Sequence, residues 1–143
     1  MCQIFGGRTV TAPRLLTLTL ILNGREVTRT GPGHLTLLRW LRDVVGAHEV
    51  KEGCDEGVCG ACTVLVDGEA VSSCLLLAAQ AQGAEIRTVV GLLDPGGELG
   101  ALQRAFLEHG AAQCGFRTPG MLLTAAELLD RGGSVDRYGI REA

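Results

Sequence analysis

The chain has 143 residues, of which 46% are apolar and 20% charged, with a formal net charge of -3. That length suits one domain or two small ones, and the apolar share excludes wholesale disorder. The weak acidic balance, without a dense Lys/Arg run, excludes a nucleic-acid binder that works by neutralising phosphates.

Residues 1–13 hold Gly6, Gly7 and Pro13 without a sustained period and read as a flexible leader. No long apolar stretch follows the N-terminus, so no secretory signal is expected and the cytoplasm is the expected location. From Arg14 the chain turns strand-like, Leu16, Leu18 and Leu20 alternating with Thr17, Thr19 and Ile21 as in a strand with one buried face, and the longest apolar stretch, Leu15 to Leu22, is far too short to cross a bilayer. Asn23-Gly24 predicts a tight hairpin into a second strand over Arg25 to Thr30, and Gly31 to Gly33 a turn. Leu37, Leu38, Leu41, Val44 and Val45 then fall at helical spacing, with Thr36 as cap, Gly46 as stop and Trp40 along one edge.

Val50 to Cys62 follows neither period. Thr63 to Val66 predicts a strand, Asp67-Gly68 a hairpin, and Glu69 to Ser73 the returning strand. The alanine-rich run from Cys74 to Gln82 predicts a short helix ended by Gly83, and Ile86 to Val90 a last strand. The expected class is α+β: a small mixed sheet with a helix on it over residues 14–91, a linker at 92–97 around Asp94-Pro95-Gly96-Gly97, and a helical region over 98–143. Within the last, Leu99, Leu102, Ala105 and Phe106 share one helix face. Thr118 caps a second helix carrying Leu122, Ala125, Ala126 and Leu129 on one side, widened by Met121 and Leu128.

Two counts depart from the ordinary, 21 glycines and six cysteines: Cys2, Cys54, Cys59, Cys62, Cys74 and Cys114. Cys54, Cys59 and Cys62 have the spacing C-x4-C-x2-C, and Cys74 follows after eleven residues. Four thiolates suit tetrahedral zinc or a [2Fe–2S] rhomb in which each iron takes two. Structural zinc usually takes two compact knuckles, whereas here three cysteines crowd one glycine-rich loop, the plant-type ferredoxin spacing. A redox pair at Cys59 and Cys62, or four merely buried cysteines, are further alternatives; the first leaves Cys54 and Cys74 unexplained. Gly53, Gly57 and Gly60 are expected to let the loop turn N–H groups toward the sulfurs, while Asp55 and Glu56 are solvated. His34, His48 and His109 are scattered, no Ser-His-Asp arrangement is present, and the glycines form no dinucleotide fingerprint.

The run KEGCDEGVCGACTVLVDGEAVSSCLLLAAQAQGAEIRTVVGL from Lys51, and LQRAFLEHGAAQCGFRTPGMLLTAAELL from Leu102, resemble the small iron–sulfur subunit of the molybdenum hydroxylases. That family includes xanthine dehydrogenase, aldehyde oxidoreductase and aerobic carbon monoxide dehydrogenase. The resemblance implies a plant-type ferredoxin-like β-grasp domain with one [2Fe–2S] cluster on Cys54, Cys59, Cys62 and Cys74. It also implies FAD and molybdopterin in partner subunits of a hetero-oligomer, with neither nucleic acid nor membrane as partner. The family's second domain is a four-helix bundle holding another cluster through C-G-F-C-T-P-G-M and a later C-R-C-T-G-Y, and its pterin-proximal glutamine corresponds to Gln113.

This sequence departs at the second cluster. It reads Cys114-Gly115-Phe116-Arg117-Thr118-Pro119-Gly120-Met121, and it ends where the family continues toward C-R-C. Arginine has no lone pair to give a metal. The expectation is therefore a truncated helical domain without a second cluster, with Cys114 a relict buried thiol. The implied function is one-electron transfer by a non-catalytic subunit of an oxidoreductase, exchanging electrons with a flavin or other redox partner. A mainly structural subunit of a molybdopterin-type complex and a free ferredoxin-like carrier are the alternatives.

Overall fold

A computed structural model describes residues 14–132 together with Asp136 and Ile140; the expected leader, Cys2 and most of the expected tail lie outside them. The first hairpin follows the sequence. Strand β1 (Leu15–Leu22) pairs antiparallel with β2 (Arg25–Pro32) across Asn23-Gly24, whose φ values of 51° and 78° are those a tight primed turn demands. Leu18 and Leu20 point into the core, while Thr17 and Thr19 face outward and bond the Thr30 and Thr28 hydroxyls at 2.8 and 2.9 Å. β2 continues through Gly31 to Pro32, where a turn was expected, because β1 is long enough to pair with both.

Thr36 caps the next helix as expected, its hydroxyl accepting from Arg39 N–H at 3.3 Å. Only Leu37–Arg39 (α1) is wound as an α-helix; Trp40–Val45 loosens to a π-helical turn that Gly46 ends at φ 89°. Trp40 is fully enclosed rather than set along an edge. Strands β3 (Thr63–Val66) and β4 (Glu69–Ser72) form the second hairpin across Asp67-Gly68, and β5 is confined to Glu85–Arg87. The sheet order is β2-β1-β5-β3-β4, with β5 parallel to β1 and antiparallel to β3.

Two expected elements are shortened by tertiary bonds. The helix expected over Cys74 to Gln82 reduces to a 3-10 turn at Ala78–Ala81, because Leu37 N–H takes the Leu76 carbonyl at 2.7 Å and Thr36 bridges Leu77. The strand expected to reach Val90 stops at Arg87, and Val89–Leu92 curls into another 3-10 turn. Asn23 Oδ1 accepts from Thr88 N–H at 2.8 Å, and the Thr88 hydroxyl donates to Glu49 at 2.8 Å; these bonds pull the chain off the sheet.

Leu18, Leu20, Leu37, Leu38, Trp40, Leu41, Val64 and Ile86 make the core between α1 and the sheet, and Cys62 and Cys74 belong to it. Helix α2 (Ala101–Glu108) begins after Leu99, which is partly exposed; buried Gln103 ties it back by donating to the Val89 carbonyl at 3.1 Å. Helix α3 (Thr118–Asp130) packs on β3 and β4, on the side of the sheet away from α1. Thr118 is its first residue rather than its cap; Arg117 holds that place without a side-chain bond, and Pro119 sits in the first turn.

Leu122, Leu123 and Ala126 are buried under α3, whereas Met121 and Leu129 are half-exposed. Much of the apolar face of α3 is thus covered by the chain's own sheet. At the sheet margin Glu127 accepts from the free Ala70 N–H of β4 at 2.9 Å, and Arg131 bridges Glu69 and Glu127 at 2.9 Å each.

Candidate metal centre

Residues 46–62 run from the end of the π-helical turn to β3 without helix or strand, and the cysteine loop is their second part, 51–62. Within this loop the Glu56 and Cys59 N–H groups each donate to Cys54 Sγ at 3.4 Å. These two donors, with the Val58 N–H and the Cys59 thiol, hold the Cys54 thiol down to about 6, against the small opposing effect of burial. Cys74, at the end of the β4 hairpin, behaves in the opposite way. Burial pushes its thiol up to about 11, and the neighbouring Cys62 thiol adds to the rise while the Gly57 N–H opposes it.

The four thiols therefore neighbour one another in two pairs, Cys54 with Cys59 and Cys62 with Cys74, and the Cys54 charge is felt at Cys74. Among the described residues no three His, Cys, Asp or Glu side chains converge as a ready-made single-ion site. Two adjacent thiol pairs are the donor set of a two-iron centre, in which each iron takes two thiolates, more than of a lone zinc ion. Cys62 and Cys74 are buried while Cys54 and Cys59 are part-exposed, so such a centre would sit where the core meets the surface.

The glycines shape this site by two means. Gly57 and Gly60 take φ values of 73° and 70°, the left-handed turns expected of them. Gly53 has no positive φ; a Cβ there would come within 2.8 Å of Cys59 Sγ, so its role is space for a sulfur. Asp55 and Glu56 are exposed, as the sequence suggests.

Ser73 is a supporting residue that the spacing of cysteines does not reveal. It is fully buried, its hydroxyl donates to the Cys62 carbonyl at 2.6 Å, and its own carbonyl accepts from Leu38 N–H at 3.0 Å. It thereby pins the Cys62 and Cys74 backbones together and both to α1. The only sequence signal is a small hydroxyl residue directly before a candidate ligand. Arg39 and Glu52 form an ion pair that closes the other end of the loop on α1.

The segment before α3 is different. Cys114 is exposed, not buried as expected, and Gln113 and Arg117 are exposed beside it. Arg117 and Cys59 both line an apolar groove of about 570 Å³ that also takes in Leu102, Phe106, Met121 and Leu128; Gln113 does not reach it.

Residues 20–88 match the family described as a 2Fe-2S iron-sulfur cluster binding domain, and residues 88–143 one described as a [2Fe-2S] binding domain. The chain is 47% identical over 116 residues to the nicotinate dehydrogenase small FeS subunit of Eubacterium barkeri, covering 81% of this chain and 73% of that one. It belongs to the small iron–sulfur subunits of the molybdenum hydroxylases. The subunit is also 48% identical over 122 residues to the nicotine 6-hydroxylase small subunit of Paenarthrobacter nicotinovorans, covering 85% of the subunit and 73% of that relative. Its fold aligns with quinoline 2-oxidoreductase from Pseudomonas putida 86 at a TM-score of 0.85 and 43% identity, over 90% of the subunit and 78% of that chain. The mixed sheet with following helices is thus the family's architecture.

Proposed function

We propose that the subunit holds one [2Fe–2S] cluster on Cys54, Cys59, Cys62 and Cys74. It carries single electrons within a hetero-oligomeric oxidoreductase whose flavin and molybdopterin reside in partner subunits. The observation that carries this reading is the pairing of four thiols in a loop already turning N–H groups onto Cys54 sulfur. When bound, the cluster supplies reversible one-electron uptake, which thiols alone do not.

The chain's own part is to hold that centre, to offset its negative charge with backbone donors, and to leave one side open to a partner. Val58, 81% exposed, and Leu75, 67% exposed, flank the loop on that open side. No residue here is assigned a catalytic role; bond making belongs to the partners. The apolar groove at Phe106 and Met121 favours an assembled subunit over a free carrier, which has no use for it. Among the described residues no helix is long and apolar enough to cross a membrane, and reduced thiols available to iron suit the cytoplasm, which we infer as the location.

The second site of the family is degenerate in this chain. Of its first ligand pair only Cys114 is present, and Arg117 stands where the other thiolate belongs. A permanent guanidinium cation cannot donate to iron.

Anaerobic purification of the native assembly, with iron, acid-labile sulfide, molybdenum and flavin quantified per polypeptide, tests these statements. Two irons and two sulfides per subunit are expected, with one reduced paramagnetic centre from this chain. Four of each, with two centres, would overturn the account of Arg117. An assembly without molybdenum or flavin would overturn the account of the partners. Cys59→Ser is expected to bleach the visible spectrum, and an unchanged spectrum removes Cys59 from the ligand set.

A further inference from the structure

We infer that Arg117 tunes the surviving cluster electrostatically, its guanidinium raising the reduction potential of the centre held by the neighbouring loop. The inference rests on the assignment of that centre to Cys54, Cys59, Cys62 and Cys74. The geometry brings the α3 start and the cysteine loop together at two points on either side of Arg117. On one side, the Phe116 ring comes within 3.6 Å of where a Gly53 Cβ would lie, and that same position is 2.8 Å from Cys59 Sγ. On the other, a Cβ at Gly120 would come within 2.0 Å of the Gly60 carbonyl oxygen, so the first turn of α3 is seated directly on the residue after Cys59.

Arg117 lies between these contacts and shares the walls of one groove with Cys59. It is also the residue from which the 13-residue helix α3 starts, so the positive end of the helix dipole lies beside it. Among the described residues the ion pairs engage Arg39, Arg87, Arg104 and Arg131, and none engages Arg117. Its charge is left to act on its surroundings.

One-electron reduction adds a negative charge to a site already crowded with thiolates and sulfides. The electron comes from a reduced cofactor of a partner subunit or, in a titration, from dithionite. A fixed cation at the Cys59 side stabilises the more negative state, and net charge is among the determinants of such potentials. Asp55 and Glu56 on the loop act in the opposite sense, so the cation at 117 offsets two exposed carboxylates. The position at which the family carries a thiolate ligand would in this chain serve the other cluster through its field.

The test is a potentiometric titration of the purified complex, read by visible absorbance, for wild type and for Arg117→Lys, Arg117→Gln and Arg117→Glu. Arg117 is exposed, so the three variants are expected to keep wild-type iron and sulfide, measured first. The potential should stay high with lysine, fall with glutamine and fall further with glutamate. The glutamine step is expected to be at least about threefold in the reduction equilibrium constant, or about 28 mV at 59 mV per tenfold change for one electron. The spread should shrink at about 1 M salt, where the screening length is near 3 Å. Potentials that coincide across the four proteins, or a lysine variant that falls with glutamine, would overturn the inference. A wild type without iron would instead overturn the cluster assignment, so the two failures are distinguishable.

Discussion

Gly120→Ala is the sharpest probe of how α3 meets the cysteine loop. The new Cβ would lie 2.0 Å from the Gly60 carbonyl oxygen and 3.3 Å from Thr63 Cβ, whereas Cβ contacts under 3.0 Å are essentially never seen. Helix and loop must therefore part by about 1 Å, and neither can yield easily: the oxygen is backbone and accepts from the Thr63 hydroxyl at 2.9 Å. Overpacking of this kind costs about 1–3 kcal/mol. Alanine recovers about 0.5–1 kcal/mol through its better helix propensity, leaving a net loss of about 1 kcal/mol from the middle of those ranges and about 2.5 kcal/mol at most. At about 4 °C per kcal/mol, where the ranges for smaller and larger domains meet, melting of the iron-loaded protein should fall by about 4–10 °C. Gly96→Ala is the control, since nothing lies within 4 Å of its Cβ position and its φ is not positive. It should be neutral, or stabilising by about 0.4–1 kcal/mol. Circular dichroism melts of the three proteins decide the matter, and a Gly120→Ala protein as stable as Gly96→Ala would refute the close seating of α3.

Ser73→Ala removes a buried hydroxyl without leaving a stranded donor. It should cost about 0.5–1.5 kcal/mol and speed iron loss to a chelator, followed by loss of visible absorbance; Ser73→Val should cost more through overpacking. Glu127→Ala strips the Ala70 N–H of its acceptor, so hydrogen exchange at Ala70 should accelerate, whereas Glu127→Gln keeps an acceptor oxygen and most of the protection. Thr88→Val breaks the hydroxyl bonds to Asn23 and Glu49 in a nearly sealed position, and a loss of about 1–3 kcal/mol in urea unfolding is expected.

The features legible in the sequence are those with local causes. Asn23-Gly24 and Asp67-Gly68 mark hairpins because those residue pairs tolerate the positive φ that such turns require. The alternation in β1 reads directly because one face is buried and the other carries threonine pairs. The cysteine loop reads from spacing, since the four thiols come from one short stretch and one hairpin end. The features it hides depend on distant partners. Thr88 leaves the sheet for Asn23 and Glu49, 65 and 39 residues away, so no window around Val90 could show that the strand has ended. The π-helical turn depends on enclosing Trp40 among core residues from several strands, which helical periodicity does not encode. Ser73 and Glu127 act through bonds to backbone groups distant in sequence, and neither belongs to a motif.

The carboxylate of Glu127 has a consequence for solubility. β4 is an outer strand of the sheet, and an unoccupied amide along such a margin invites a strand from another copy to add on. By occupying the Ala70 N–H, α3 acts as a guard rail on that border. Changes that prise α3 away should therefore show first as turbidity that rises with protein concentration, ahead of any cooperative loss of the β-sheet signal.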